Sequence, residues 1–147
     1  CWTIPALMRL REMRYQLTHI QTAGNKQASD AYALLDLLNE HCKTHIGMSF
    51  SRARGGRANL MHKRFTVPQH TFTNGETYLF YYVIHEFTHC WGNKIKHNIY
   101  FKQTERELLN LFGITIDYAK AYPRALYANG ERVYYKEGRL ALRSYRG

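Results

Sequence analysis

The stretch Gly75-Glu76-Thr77-Tyr78-Leu79-Phe80-Tyr81-Tyr82-Val83-Ile84-His85-Glu86-Phe87-Thr88-His89-Cys90-Trp91-Gly92 decides how the rest of this chain is read. It places H-E-x-x-H inside an apolar run. On a helix, residues four apart share a face, so His85 and His89 stack one turn apart, with Glu86 about 100° around the axis. With eight His and eight Glu among 147 residues, chance produces such a motif about 0.02 times. The five residues are therefore read as chemistry: two metal ligands and a carboxylate beside them, the pattern of a zinc-dependent hydrolase. The helix is expected from Gly75 to Trp91, with Thr73 and Glu76 as a capping box and Gly92 as its stop. Leu79, Tyr82, Val83, Phe87 and Cys90 face the core, and the two histidines look toward a neighbouring face.

A catalytic zinc takes three protein ligands and keeps one position open. The longer spacing H-E-x-x-H-x-x-G-x-x-H is excluded, because Ile95 stands where its third histidine would be, although Gly92 matches. His97 is the preferred third ligand. It precedes Asn98-Ile99-Tyr100-Phe101, which opens an amphipathic pattern, so Phe101 can anchor in the core and hold His97 at its mouth. Glu105 and Glu107, in the following helix, remain the alternatives. Glu86 is then a general base, taking a proton from an attacking water and handing it to the departing amine. A tyrosine, Tyr100 for instance, is a candidate donor to the developing oxyanion.

Outward from the motif, Leu7, Leu10, Met13, Leu17 and Ile20 recur at helical spacing after Pro5. A second helix is expected from an N-cap at Ser29 to about Lys43, burying Ala31, Leu34, Leu35 and Leu38. Strands are expected over Ile46–Phe50 and over Leu60–Val67, the latter closed by Pro68. The Arg64–Pro68 run is either an edge to which a substrate peptide adds or an internal strand. A helix from Ile99 to Phe112 should bury Phe101, Leu108, Leu109 and Phe112 and end at Gly113. Asn129-Gly130 between Ala125–Tyr127 and Arg132–Tyr135 predicts a two-residue hairpin turn, and Arg139–Arg143 a further short strand. His41 and His45 are four apart but straddle the expected helix end, so they are read as surface histidines.

Composition sets the outer limits. The chain carries 21 Lys and Arg against 11 Asp and Glu, a formal charge of +10, which points to a polyanionic partner such as DNA or another nucleic acid. Arg52, Arg54, Arg57, Lys63 and Arg64 occupy a stretch with no acid, and the tail is basic again from Lys120 to Arg146. Cys1, Cys42 and Cys90 form no C-x-x-C pair and are odd in number, which favours a reducing, intracellular setting, cytoplasmic or nucleic-acid-associated. No run reaches the roughly 18 to 20 apolar residues of a membrane span, so no membrane association is expected. The chain opens on cysteine, leaving a native start and targeting information to be expected upstream. Oligomeric state is not legible.

The order H-E-F-T-H, short basic linker, H-x-x-x-F and helix resembles the SprT-like zinc metalloproteases, which include the DNA-repair protease Spartan, and the related WLM group. The resemblance spans roughly Ser29 to Phe112 and includes a Gly-Arg segment at Gly56-Arg57. It implies that His85, His89 and His97 ligate Zn2+, that Glu86 is catalytic, and that the substrate is a protein or peptide. The paired cysteines of the C-terminal zinc ribbon found in many members are absent, as in a viral or otherwise divergent member. The fold implied is α+β: a zincin-like single domain over residues 1–147, with helices on a small sheet (core about 29–112) and a basic C-terminal β-meander (about 114–147).

Overall fold

The computed structural model describes residues 26–93, 96–119 and 122–135. The helix expected over Leu7–Ile20 and the strand over Arg139–Arg143 lie outside the described residues. Within them the chain is mixed α/β, with three helices and two three-stranded sheets. Among the described residues no helix is long and apolar enough to cross a membrane.

Helix α1 runs Lys26–Cys42. Ser29 is not its cap. Lys26, Gln27 and Ala28 are compatible with helix and extend it by a turn, so Ser29 is buried inside it. The expected stripe of Ala31, Leu34, Leu35 and Leu38 is buried and is widened by Ala33 and Leu37. Lys43, left-handed at φ 56°, follows the helix end. Asn39 then organises the exit: its Oδ1 accepts from Ile46 N at 2.9 Å and its Nδ2 donates to Ile46 O at 2.9 Å. Ile46 is thereby held in the loop, and β1 starts one residue later than expected, at Gly47–Ser51.

Of the strand expected over Leu60–Val67 only Arg64–Val67 is extended; Leu60–Lys63 forms a turn, preceded by a short strand that the sequence reading did not include. Asn59 Oδ1 accepts from His62 N at 3.0 Å, and Lys63 turns left-handed at φ 52°, so the chain reverses between β2 (Arg57–Asn59) and β3 (Arg64–Pro68). Strand β3 is central in the order β1-β3-β2, parallel to β1 and antiparallel to β2. Arg64–Pro68 is thus internal, which removes it as an edge for an added peptide strand. Met48, Phe65 and Val67 enter the core.

After a short 3-10 helix, Gln69–Thr73, the motif helix α2 runs Glu76–Gly92. Thr73 does not cap it, because its hydroxyl donates to His70 O at 3.1 Å within the preceding turn; Gly75, at φ 92°, takes the N-cap position without a side-chain bond. At the other end Gly92 is still helical and Asn93, at φ 52°, is the left-handed stop. Lys63 Nζ donates to Cys90 O at 2.7 Å, placing a cation where the helix dipole is negative. Every residue from Tyr78 to Cys90 is buried. The helix is not two-faced: α1, α3 and both sheets pack around it.

Helix α3, Ile99–Asn110, begins at Asn98, whose Oδ1 accepts from Phe101 N at 2.9 Å. Its buried stripe is Phe101, Glu105, Leu108 and Leu109; Phe112 lies beyond its end, packed at the margin of the core. Gly113, at φ 75°, makes the expected left-handed turn. The chain then enters an antiparallel meander of β4 (Ile114–Ala119), β5 (Tyr122–Ala128) and β6 (Glu131–Tyr135). Asn129 and Gly130, at φ 54° and 85°, form the two-residue hairpin read from the sequence. Pro123, which cannot donate to a ladder, sits opposite Tyr118 where the register shifts after Asp117. Ile114, Ile116 and Leu126 belong to the same apolar cluster as α1 and β3, so this sheet shares the core.

Candidate metal centre

The helical spacing aligns His85 and His89, and the turn at Asn93 lets the chain double back so that His97 meets them. Nε2 of His97 lies 3.0 Å from Nε2 of His89 and 3.1 Å from Nε2 of His85. One ligand atom from each lies within 4.8 Å of the others, a group that could hold a metal ion. Tetrahedral zinc with Zn–N near 2.0–2.1 Å would space such nitrogens about 3.4 Å apart, so a small outward adjustment would admit the ion. Phe101 lies under all three rings, its centroid 5.1 Å from that of His85, 4.4 Å from His89 and 5.0 Å from His97. This is the anchoring that the sequence around His97 suggests.

His85 and His89 are buried and His97 is half-buried. Burial first, then the neighbouring His85 and His89 and the cation of Lys102, push His97 down to about 3. Removing water from an imidazolium and setting it beside other positive groups both favour the neutral form, which is the form that ligates.

The two glutamates held open as third ligands part company. Glu105 is fully buried and packs behind His85, its Oε2 2.5 Å from His85 Nδ1, the nitrogen remote from the triad. Its Oε1 accepts from the Tyr118 hydroxyl. The Tyr81 hydroxyl lies 3.2 Å from the same His85 nitrogen. Glu107 is exposed. The nitrogens that converge are therefore those of His97 and the two motif histidines, with Glu105 in contact with the back of one of them.

Glu86 sits with Oε2 4.0 Å from His85 Nε2. It is buried, and Oε2 has no hydrogen-bond partner among the described residues. Desolvation raises its pKa to about 7, opposed by His85 and reinforced by the charge of Glu105. What covers it is the backbone of Gly56. A Cβ there would stand 2.9 Å from the Glu86 carboxylate and 2.7 Å from Thr66 O. Gly56 is further held by its own N–H, which donates to the Tyr82 hydroxyl at 3.1 Å.

Other residues singled out in the sequence stand apart. Tyr100 is 66% exposed; the tyrosines near the triad are Tyr81, Tyr82 and, through Glu105, Tyr118. His41 and His45 are exposed on either side of the turn at Lys43. Cys42 and Cys90 are free thiols, Cys90 fully buried in the core. Two contributions went unread in the sequence: that of Glu105, expected there only as an alternative metal ligand and not as a partner of His85, and that of Tyr118, which was not singled out. Glu105 carried a signal, being an acid on the buried stripe Phe101-Glu105-Leu108-Leu109, where a carboxylate needs a partner. Tyr118 carried none beyond its place on a strand.

No family model matches this chain, and no solved structure matches it. Among curated proteins it is similar to methylsterol monooxygenase 2-2 of Arabidopsis thaliana, 27% identical over 104 residues. The match covers 68% of this chain and 39% of that protein's length.

Proposed function

We propose that this chain is a zinc-dependent metallopeptidase of the SprT-like kind, its α+β core a zincin-like arrangement, with His85, His89 and His97 as metal ligands and Glu86 as general base. The observation that carries the reading is the Glu86 carboxylate: buried, lacking a hydrogen-bond partner at Oε2 among the described residues, and 4.0 Å from a nitrogen of the histidine cluster. A site that only braced the fold would leave that oxygen as a cost without a task.

The donor set suits the ion, being three imidazole nitrogens brought together, with His97 Nε2 within 3.1 Å of Nε2 of both motif histidines. Zinc, when bound, supplies a Lewis acid that makes water acidic near neutral pH and polarises a carbonyl. Glu86 Oε2 accepts the proton of the attacking water and delivers it to the nitrogen of the departing amine. Gly56 packs against the Glu86 carboxylate and is held there by its N–H bond to the Tyr82 hydroxyl. Phe101 keeps the three rings at their mutual angles.

The partner side of the proposal is a protein substrate associated with nucleic acid. It draws on the run from His41 to Gly75, which contains no acid, and on a groove of about 560 Å³ on sheet β1-β3-β2 whose lining includes Arg57, Asn59, Arg64 and Thr66. An oxidation, as the name of the matched Arabidopsis protein states, would rest on that likeness alone and gives Glu86 no task.

The test is Glu86→Gln. This variant should bind zinc as the wild type does and lose cleavage of a denatured protein by a factor on the order of 10² to 10⁴; cleavage retained within tenfold sinks the general-base role. Oligonucleotide binding should weaken steeply with added salt, and absence of binding at low salt removes the nucleic-acid part.

A further inference from the structure

Sheet β4-β5-β6 touches the histidine cluster through one chain of side chains. Tyr118 of β4 donates to Oε1 of Glu105, and Oε2 of Glu105 lies 2.5 Å from Nδ1 of His85. Both carboxylate oxygens are thus engaged in a residue with no exposed surface. Tyr118 is itself fixed. The Lys102 ammonium and the Arg106 guanidinium each sit 5.1 Å from its ring centroid, and the register shift between Asp117 and Tyr118 falls at the point where its strand meets Pro123.

A neutral imidazole has one N–H and one lone pair, and the group facing one nitrogen decides which nitrogen keeps the other. A carboxylate can only accept, so Glu105 places the hydrogen on Nδ1 and leaves the lone pair on Nε2. That nitrogen is the one 3.1 Å from His97 Nε2. We infer that Glu105 and Tyr118 are a positioning pair that holds His85 in its Nδ1–H form and aims Nε2 at the metal, making β4 part of the metal centre. The inference rests on the metal-binding part of the proposed function. Glu105 is not a ligand in it, and Tyr118 acts only through Glu105.

Zinc affinity of the full chain, measured by competition with a chromophoric chelator, tests the pair without recourse to activity. Glu105→Gln should weaken zinc binding by about 10- to 100-fold, since the amide loses the charge and presents a donor to the Tyr118 hydroxyl. Tyr118→Phe removes one oxygen from a half-buried site and should weaken binding several-fold in the same direction. The double variant should bind no more weakly than Glu105→Gln alone, because the two act in series. The visible absorption of the cobalt-substituted protein should shift with each variant. Affinities within twofold of wild type in Glu105→Gln and Tyr118→Phe overturn the inference and leave the metal site standing, as does strict multiplication of the two effects in the double variant. A wild-type chain that binds neither zinc nor cobalt overturns the metal reading and this inference with it.

Discussion

Sheets β1-β3-β2 and β4-β5-β6 both pack on the motif helix, and they act on neighbouring residues of it. The first, mixed in strand direction, reaches the Glu86 carboxylate through the backbone of Gly56. The second, wholly antiparallel, reaches the back of His85 through Tyr118 and Glu105. One contact is steric and main-chain, the other polar and side-chain. In the proposed reading the first sheet shapes the base and the second shapes the metal ligand, so damage to each should appear in a different measurement.

Phe101→Ala sets the upper bound, because Phe101 underlies all three imidazoles and belongs to neither sheet. It should cost about 3–5 kcal/mol in chemical unfolding and degrade metal binding and cleavage together; an effect confined to one of them would show that the histidines are held independently of this ring. Gly56→Ala is the next largest and bears on the first sheet. Its Cβ would meet Thr66 O at 2.7 Å and the carboxylate at 2.9 Å, an overpacking worth about 1–3 kcal/mol. Cleavage should fall by more than tenfold while zinc affinity stays near wild type, and weakened zinc binding instead would break the division between the sheets. Gly130→Ala bears on the second. At φ 85° an alanine costs about 1–2 kcal/mol, lowering the melting temperature while leaving the Tyr118 end of the sheet, and zinc affinity, unaltered. A drop in affinity there would mean that the whole meander, and not β4 alone, sets the position of Glu105.

Much of this was legible along the chain because the interactions are local. The turn at Asn129-Gly130, the stop at Gly113 and the buried stripes of α1 and α3 depend on residues a few positions apart. Where the reading slipped, a polar side chain had been drawn elsewhere. Thr73 turned to His70 O instead of capping α2, Asn39 held Ile46 out of β1, and Asn59 made a turn of the first half of an expected strand. In each case the competing partner lies three to seven residues away, near enough to matter and too irregular to follow a period. The two-faced helix expected for the motif was wrong for another reason: its histidines lie on a side that α3 and the second sheet also cover, and a single helix's pattern does not register how many neighbours it has.

From its spacing alone, the chain committed His85 and His89 to one face of a helix with Glu86 beside them, since 3.6 residues per turn leaves no other arrangement. The role of Glu105 had no such constraint, because a carboxylate 20 residues from His85 can face a metal or the back of an imidazole with equal ease in one dimension. Packing resolved it. Phe101 filled the space beneath the three rings, His97 came to the open side, and the buried position left for Glu105 lay against Nδ1 of His85, with Tyr118 from a strand beyond it to satisfy its second oxygen.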